Sequence, residues 1–345
     1  MSLPLLAITQ GDPAGIGPEI IAKAFRDAGP VMQGCFVVGE VQTLRRAAAC
    51  IARPGDVLLP VAELASVAEA ATVPPRCIPV LPLPGLPGPL PWGQVQAEAG
   101  RAAAECVQWA ARAALRGEIA GVVTAPLHKE ARALAGVHYP GHTELLQAEA
   151  AQHAGVPLAQ MPVRMMLAND ALRTVLVSIH VSLRDAIDAV SQDNVLQTIR
   201  ITHASLLRSL GRAPRIAVAG LNPHAGEGGL FGREEIEHIA PAIAAARAEG
   251  IAAVGPEAPD TVFMRARHAA DKPAEFDVVV AMYHDQGLIP VKYLGLDQGV
   301  NVTLGLPLTR TSPDHGTAFD IAGQGVADAS SLIEAVRMAR ALASS

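Results

Sequence analysis

Short runs of β-branched and other apolar residues alternate along the chain with longer, alanine-rich stretches of helical pattern. The short runs predict strands, because they are bounded by turn residues, whereas the longer amphipathic stretches predict helices. The predicted strands are 5–9, 35–38, 120–124, 174–179, 216–220, 276–282 and 300–304, and the predicted helices are 18–26, 94–116, 142–153, 194–210, 233–248 and 329–343. Strands that alternate with helices are typical of parallel βαβ units, so the predicted fold class is α/β.

Three of the predicted strands run into a histidine. His180 and His284 come within two residues of the ends of their strands, and His224 comes within four. In open α/β sheets ligands bind outside the carboxyl ends of the strands, so we expect the three imidazoles to converge on one crevice. Neutral imidazole is the commonest metal ligand, and three of them leave coordination positions free for a substrate. The pattern predicts a catalytic metal site; the alternative is that each histidine only forms hydrogen bonds within its own turn.

Nitrogen donors favour some metals over others. A site built from histidines accepts Zn²⁺, Co²⁺, Ni²⁺ or Mn²⁺ more readily than Ca²⁺, and Mg²⁺ binds weakly unless the substrate adds oxygen ligands. The identity of the metal stays open. Asp285, next to His284, and Asp260, in the segment GPEAPDT, are candidates to orient the ligands or to contact the substrate. The alternative for each acid is a helix cap or a solvated turn residue.

Composition and charge exclude several classes of protein. With 345 residues, 50% of them hydrophobic, the chain is long enough for two lobes or one large α/β body. The formal net charge of -6 and the absence of a lysine or arginine cluster argue against nucleic acid as a partner. No apolar run reaches the ~18 residues of a membrane span and the first residues lack a signal-peptide pattern, so we expect a cytoplasmic protein without membrane association. The proline-rich segment 81–91 predicts a surface connection.

Two glycine-containing segments are candidates for cofactor binding. Residues 9–19 form a glycine-rich turn between a strand and a helix, where backbone N–H groups can approach an anion. The glycine spacing differs from the G-x-G-x-x-G fingerprint, so a conventional dinucleotide fold, with Glu40 on the ribose, is only an alternative, as is a purely conformational role. The segment 310–323 mixes a glycine turn, hydroxyls and acids, which suits adenosine ribose or phosphate; the alternative is a helix start capped by Asp314 or Thr317.

A third group of residues is suited to an anionic substrate. His142 and Thr143 lie in a loop that enters a predicted helix, so their side chains and the first amides of the helix can hold an anion. Lys292, Asn301 and Arg310 surround the predicted strand 300–304 and would add two positive charges and a fork of donors. Together these residues predict a pocket for phosphate or carboxylate, whereas each one alone is compatible with a solvated surface position.

Long motifs in a fixed order give the chain a resemblance to a known family. They are ITQGDPAGIGPEI, TAPLHKE, YPGHTELL, GLNPHAGEGGLFG, GPEAPDT and AMYHDQGLIPVKYLGLDQGVNVTLGLPLTRTSPDHGTAFDIAG. In these motifs, which span almost the whole chain, the sequence resembles the 4-hydroxythreonine-4-phosphate dehydrogenase family of vitamin B6 biosynthesis.

The resemblance implies a two-lobed α/β/α fold similar to that of isocitrate and isopropylmalate dehydrogenases, with the active site in the cleft between the lobes. Residues 1–125 plus 303–345 would form the cofactor lobe, and residues 126–302 the lobe for dimerisation, metal and substrate. It also implies a homodimer in which a divalent metal (Zn, Co or Mg) is bound by His180, His224 and His284, with ligands from both subunits.

The family motifs also imply roles for the other candidates. The substrate-binding positions are His142, Thr143, Lys292, Asn301 and Arg310, with Asp260 as a further candidate, and Lys292 or Asp285 is the candidate acceptor of the hydroxyl proton. The segment 314–323 resembles the adenosine loop of the wider superfamily, so that Gly316, Thr317, Ala318 and Asp320 would bind NAD, or NADP.

The implied reaction is oxidation of the C3 alcohol of 4-hydroxythreonine 4-phosphate, followed by loss of CO₂ from the β-keto acid. Three alternatives remain open. A sister group that oxidises D-threonate or D-erythronate 4-phosphate shares nearly all the motifs. The histidines and the phosphate pocket are also compatible with a metal-dependent hydrolase or lyase that uses no nucleotide, or with a non-catalytic protein that binds a phosphorylated metabolite.

Overall fold

The computed structural model describes residues 3–137, 139, 141–269, 273–295 and 298–343. The strands are β1 (Leu6–Thr9), β2 (Cys35–Gly39), β3 (Val61–Glu63), β4 (Ile78–Pro82), β5 (Gly121–Thr124), β6 (Arg164–Ala168), β7 (Arg173–Leu176), β8 (Ile216–Ala219), β9 (Ala253–Glu257), β10 (Val278–Ala281), β11 (Val300–Leu304) and β12 (Arg310–Pro313). The α-helices are α1 (Gly17–Asp27), α2 (Gly29–Met32), α3 (Val41–Cys50), α4 (Ala97–Leu115), α5 (Lys129–Leu134), α6 (His142–Ala154), α7 (Leu183–Asp188), α8 (Gln192–Leu210), α9 (Ala240–Ala248), α10 (Val262–Ala266), α11 (His284–Leu294) and α12 (Ser330–Ala343).

The chain divides into two compact units. Unit 1 comprises Met1–Pro162 and Leu306–Ser344, and unit 2 comprises Val163–Gly305. The predicted lobes place the first change at residue 125, whereas the chain stays in unit 1 until residue 162. The reason is that α5 and α6 pack on α4, where the Arg112 guanidinium forms two hydrogen bonds, of 2.7 and 2.9 Å, with the buried Glu149 carboxylate.

Unit 1 contains a parallel sheet with the strand order β3-β4-β2-β1-β5-β12. Every residue of β1, β2 and β5 is buried, as expected for a parallel sheet that is covered by helices on its faces. Side chains of the sheet, among them Phe36, Val38 and Val122, pack with Cys106 and Ala110 of α4 in one apolar cluster. This rigid core positions the loops at the carboxyl ends of the strands.

Unit 2 contains a mixed sheet with the strand order β11-β6-β7-β10-β8-β9. Strand β6 runs antiparallel to both of its neighbours, β11 and β7, whereas β7, β10, β8 and β9 pair in parallel. Leu176 and Val279 of the sheet pack against Leu288 and Val291 of α11. The carboxyl ends of the three strands that precede the candidate metal ligands, β7, β10 and β8, therefore lie next to one another.

The α/β class is confirmed, and all seven predicted strands and six predicted helices occur; strand 300–304 has the predicted bounds, and the ends of the other elements are shifted. The structure adds five strands, and the antiparallel β6 departs from the expected parallel pattern. The predicted helix 233–248 begins with a π-helical turn, Glu235–Ile239. The expectation that the whole of 81–91 forms a surface connection was wrong at its start, because Leu81 and Pro82 end strand β4. Among the described helices, none combines the length and hydropathy needed to cross a membrane.

Candidate active site

His180 and His284 of unit 2 come together as predicted. They follow the parallel strands β7 and β10, which are in register, with Ala281 opposite Leu176. Beyond this pair, the Val177 amide donates to the Ala281 carbonyl at 2.9 Å, and the Ser178 hydroxyl donates to the Met282 carbonyl at 3.0 Å. These bonds extend the pairing past both strands, and they bring the two imidazole centroids to 5.7 Å.

Helix α11 fixes the position of His284, which is its first residue; no helix was predicted for this segment. Gly287 permits the helix to start on top of the strands, because a Cβ atom at this position would lie 2.5 Å from the Leu176 side chain. The Nδ1 atom of His284 is 2.7 Å from a carboxylate oxygen of Asp285. A carboxylate on Nδ1 holds the ring in one orientation and leaves Nε2 available for a ligand.

His224 lies in an unusual loop, the 3₁₀ segment Pro223–Gly229, where His224, Ala225 and Glu227 all have left-handed backbone conformations. The base of this loop is held by the buried Glu235, whose carboxylate accepts hydrogen bonds of 2.7 Å from the Leu221 and Asn222 amides. Non-glycine residues in the left-handed region cost free energy and are concentrated at functional sites. The exposed imidazole of His224 is 6.3 Å from the Phe231 ring, between centroids.

A pocket of about 320 Å³ lies in front of the histidine pair. We call it the histidine pocket; its lining includes His180, Leu183, Tyr283, His284 and Asp285. In the part of the chain that the structure describes, no group of three His, Cys, Asp or Glu side chains is arranged to hold a metal ion. The donor set therefore fits a divalent metal in chemistry, with two imidazoles and a supporting carboxylate, but the described residues of one chain bring together only part of a coordination shell.

The other candidates of unit 2 occupy different positions. Lys292 lies in the last turn of α11, eight residues after His284, which corresponds to about 12 Å along a helix axis. Asn301 is half-buried on β11 opposite Leu167, and Asp260 is exposed in the turn before α10. The roles of these three residues stay predictions.

Arg310 of unit 1 is a buried arginine at the first position of β12. Its Nε and Nη2 atoms donate to the Thr124 hydroxyl, at 3.2 and 2.8 Å, at the end of the neighbouring strand β5. Burial lowers the pKa of the guanidinium to about 10, so the group is still charged at neutral pH. A charged, fork-shaped donor is well suited to hold a phosphate or a carboxylate.

His142 starts helix α6, and Thr143 is the second residue of that helix. The Nε2 atom of His142 is shielded from solvent and has no hydrogen-bond partner in the described structure. Burial, and next the charges of Arg310 and Arg132, hold the pKa of this imidazole well below its usual range. His142 is therefore neutral at neutral pH, and the positive charge of the region comes from the arginines.

Arg132 of α5 is a residue that the sequence analysis missed. Its side chain is buried, and its charge lies near the His142 ring and the Glu144 carboxylate. We call the group Arg132, His142, Glu144 and Arg310, with Thr124, the anion pocket. No sequence signal singles out Arg132, since an arginine in a short helix is usually solvated; only the tertiary packing shows that it is buried.

The two glycine-containing segments meet in unit 1. The Ile16 amide donates to the Thr317 carbonyl at 3.0 Å, and a Cβ atom at Gly15 would lie 3.0 Å from Thr317. On the other side of the loop, the Phe319 ring stacks on His128, with 4.6 Å between centroids. The close approach of the two backbones explains the glycine, and it makes the turn and the loop one surface.

Within the nucleotide-loop candidates, Gly316 and Asp320 are exposed, Ala318 has a left-handed backbone and Thr317 is buried. Gly323 also has a positive φ, of 78°, and a Cβ atom there would lie 1.9 Å from the Trp92 ring, so only glycine is possible. Asp314 and Thr317 do not begin a helix, because the next helix, α12, starts at Ser330, which removes the alternative of a capped helix start.

Glu40 has a structural role. Its carboxylate accepts hydrogen bonds from the Gln42 and Thr43 amides, at 2.8 and 2.6 Å, and so caps helix α3. The alternative of a conventional dinucleotide fold therefore loses its ribose-binding residue.

Asp12, in the glycine-rich turn, is fully buried. One carboxylate oxygen accepts a 2.9 Å hydrogen bond from the Ala14 amide, and the other has no partner among the residues described. Burial raises the pKa of Asp12 to about 6.

The chain is similar over almost its whole length to proteins of one family. The family model described as pyridoxal phosphate biosynthetic protein PdxA matches residues 32–339. The 4-hydroxythreonine-4-phosphate dehydrogenase of Beijerinckia indica subsp. indica is 54% identical over 95% of this chain and 91% of that protein. The D-threonate 4-phosphate dehydrogenase of Salmonella typhimurium is 45% identical over 99% of this chain and 100% of that protein. The crystal structure of 4-hydroxythreonine-4-phosphate dehydrogenase from Klebsiella pneumoniae has a TM-score of 0.88, at 44% identity, with 99% of each chain covered.

Proposed function

The chain belongs to the family of the pyridoxal phosphate biosynthetic protein PdxA, and on this premise we propose that it is an NAD-dependent, divalent-metal-dependent 4-hydroxythreonine-4-phosphate dehydrogenase. The dehydrogenase class follows from its close relatives. The observation that supports the chemistry most directly is the pairing of His180 and His284, 5.7 Å apart between centroids, in front of an open pocket.

The proposed metal site consists of His180 and His284 of one chain and His224 of a second chain. Two imidazoles of one chain provide part of a coordination shell, and the exposed His224 is held on a loop of defined conformation. A bound divalent ion would act as a Lewis acid that lowers the pKa of the substrate alcohol. Asp285, already engaged with His284, is assigned to orient this ligand. The homodimer with shared sites is part of the proposal, and the cytoplasmic location stays a prediction.

The proposed cofactor site is the surface that the turn 11–17 and the loop 314–323 form together. Gly316, Thr317, Ala318 and Asp320 are proposed to contact the adenosine half of NAD, as the resemblance to the superfamily loop implies. The hydrogen bond between the Ile16 amide and the Thr317 carbonyl supports this assignment. It anchors the loop on the turn, while the adjacent Gly316 stays exposed. NAD would accept the hydride from the substrate; the choice between NAD and NADP stays a prediction.

The anion pocket is proposed to bind the substrate phosphate. Arg310 supplies a buried charge, and His142 a buried ring nitrogen without a partner in the described structure. Thr143, at the start of α6, adds a hydroxyl and the field of a helix N-terminus. Lys292 and Asn301 are proposed to contact the same substrate, with Asp260 as a further candidate. Because Asp285 is engaged with His284, Lys292 is the better candidate for the hydroxyl proton.

In the proposed reaction the C3 alcohol loses a proton and a hydride, and the resulting β-keto acid loses CO₂ to give 3-amino-2-oxopropyl phosphate. The second candidate is D-threonate or D-erythronate 4-phosphate as substrate, which the 45% identity to the Salmonella typhimurium enzyme supports. The two substrate classes differ at C2, where one carries an amine and the other a hydroxyl. The higher identity to the Beijerinckia enzyme favours the amine.

The test is NADH formation by the purified protein, followed by absorbance after chelation and after addition of Zn²⁺, Co²⁺ or Mg²⁺. The substrates are 4-hydroxythreonine 4-phosphate, D-threonate 4-phosphate and D-erythronate 4-phosphate. Metal-restored NADH formation with the amino acid phosphate is the expected result. Turnover of only the sugar-acid phosphates would move the protein to the sister group. The absence of NADH with all three, from a folded protein, would contradict the dehydrogenase proposal and favour a hydrolase, a lyase or a binding protein.

A further inference from the structure

Arg132 is a buried arginine, two of whose side-chain nitrogens lack a hydrogen-bond partner among the described residues. Only 4% of the residue is exposed, and its Nε and Nη1 atoms have no hydrogen-bond partner in the described structure. A guanidinium has five N–H donors, and to leave such groups unpaired away from water is costly. A buried charge in a protein usually has a partner of opposite charge, as the buried Glu149 does in its two hydrogen bonds with the exposed Arg112. Arg132 has no such bonds.

The position of Arg132 is fixed by its backbone. Helix α5 lies so close to α4 that a Cβ atom at Gly100 would be 2.3 Å from the carbonyl of Ala131 and 2.4 Å from the amide nitrogen of Arg132. Only glycine tolerates this approach. The backbone at Arg132 is therefore held in place by the packing of the two helices.

The surroundings of Arg132 carry an excess of positive charge. Arg132 and Arg310 both interact with the same acid, Glu144. Burial lowers the pKa values of both arginines, and the Glu144 carboxylate opposes this effect only in part. Both arginines lower the pKa of His142, so that this ring is neutral. Two guanidinium charges thus face one carboxylate, and the unpaired Nε2 of His142 belongs to the same group.

We propose that Arg132 is a further substrate-binding residue, which binds the phosphate group of the substrate together with Arg310 and His142. This inference deepens the proposed function and depends on it for the identity of the substrate. A phosphate dianion supplies the negative charge and the acceptor oxygens that the unpaired donors of Arg132 and His142 require. A phosphate group has three acceptor oxygens and can therefore accept from Arg132, Arg310 and His142 together, whereas a carboxylate has only two.

The proposal predicts opposite effects on affinity and on stability. If Arg132 serves the ligand, replacement by glutamine removes an unpaired buried charge, so the thermal midpoint of the ligand-free protein stays equal or rises. The same substitution weakens phosphate binding by about 10-fold or more, since hydrogen bonds to charged groups are strong. A purely structural arginine would show the reverse pattern, with a lower midpoint and unchanged affinity.

The experiment measures binding of inorganic phosphate and of 4-hydroxythreonine 4-phosphate by calorimetry, without NAD. The variants are Arg132→Gln, Arg132→Lys and Arg101→Gln, the last as a matched control because Arg101 is exposed on the neighbouring helix α4. We expect wild-type affinity for Arg101→Gln, a loss of about 10-fold or more for Arg132→Gln, and an intermediate value for Arg132→Lys, which keeps the charge without the fork. In turnover, KM should rise while kcat changes little.

The outcomes separate this inference from the proposed function. Equal phosphate affinity of Arg132→Gln and the wild type would overturn the role of Arg132 and leave the dehydrogenase proposal intact. Binding that depends on Arg132, in a protein that forms no NADH, would support Arg132 and contradict the dehydrogenase. A wild-type protein that binds neither phosphate nor its ester would overturn both.

Discussion

The histidine pocket and the anion pocket differ in how much of their chemistry the chain has completed. The histidine pocket is open, and the Asp285 carboxylate orients the His284 ring. The described residues of the chain do not assemble a full set of metal donors there. In the anion pocket, by contrast, the chain itself supplies the positive charges, and both arginines are buried. The histidine pocket needs further donors to complete a metal site, whereas the anion pocket contains buried nitrogens of Arg132 and His142 that have no partner among the described residues. Mutations should therefore act on metal affinity in the first and on substrate affinity in the second.

Removal of a metal ligand should have the largest effect. We expect His284→Ala to lower kcat/KM for NADH formation by about 1,000-fold or more, since it removes a ligand of the Lewis acid. The bound zinc, measured by atomic emission, should fall in parallel. The control is His153→Ala, an exposed histidine near the end of α6, which should keep both values. Full activity of the His284 variant would show that His284 is not a ligand of the catalytic metal.

Removal of the buried cation of the anion pocket should come next. Arg310→Ala leaves Thr124 without its guanidinium partner and removes one of the two positive charges proposed to bind the phosphate, and we expect KM to rise by about 100-fold. Zinc content should be unchanged, which separates this variant from the histidine variants. A loss of metal together with an unchanged KM would contradict the proposal that Arg310 binds the substrate and the histidines bind the metal.

A smaller effect is expected at Asp285. Because its carboxylate holds Nδ1 of His284 at 2.7 Å, Asp285→Asn should weaken zinc binding by about 10- to 100-fold. Excess zinc in the assay should restore most of the rate. If turnover stays low at saturating zinc, Asp285 itself takes part in proton transfer and the assignment of that role to Lys292 is wrong.

The smallest expected effect is on stability and concerns Asp12. Because burial raises the pKa of Asp12 to about 6, the folded protein binds the proton more tightly than the unfolded chain does. This contribution to stability is complete below the unfolded pKa and is lost as the pH rises through 6, so the free energy of unfolding should fall by about 1 kcal/mol between pH 5 and pH 7. Urea unfolding of Asp12→Asn should lack this slope, whereas the variant of an exposed acid, Asp188→Asn, should retain it.

The sequence predicted the parts of the sites that follow general rules of α/β folds. His180, His224 and His284 were expected to meet because parallel strands bring their carboxyl ends to one edge. Within the described residues of one chain, His180 and His284 do meet, but no group of three donors forms. Arg132 could not be found in this way, since its burial results from the contact of α5 with Gly100 of α4, which no local pattern encodes. The helix that begins at His284 could not be predicted for the same reason. Its first turn packs on Leu176 through Gly287, and this tertiary contact is not visible in the local sequence.

The central claim is that two copies of the chain together form one metal site. The measurement is NADH formation by a mixture of His180→Ala and His224→Ala variants, each inactive alone, after joint refolding. If His224 of one copy joins His180 and His284 of the other, half of the random dimers regain one intact site, and about a quarter of the wild-type activity returns. If all three histidines act within one chain, no mixture contains an intact site, and the absence of activity from folded mixed dimers would contradict the account.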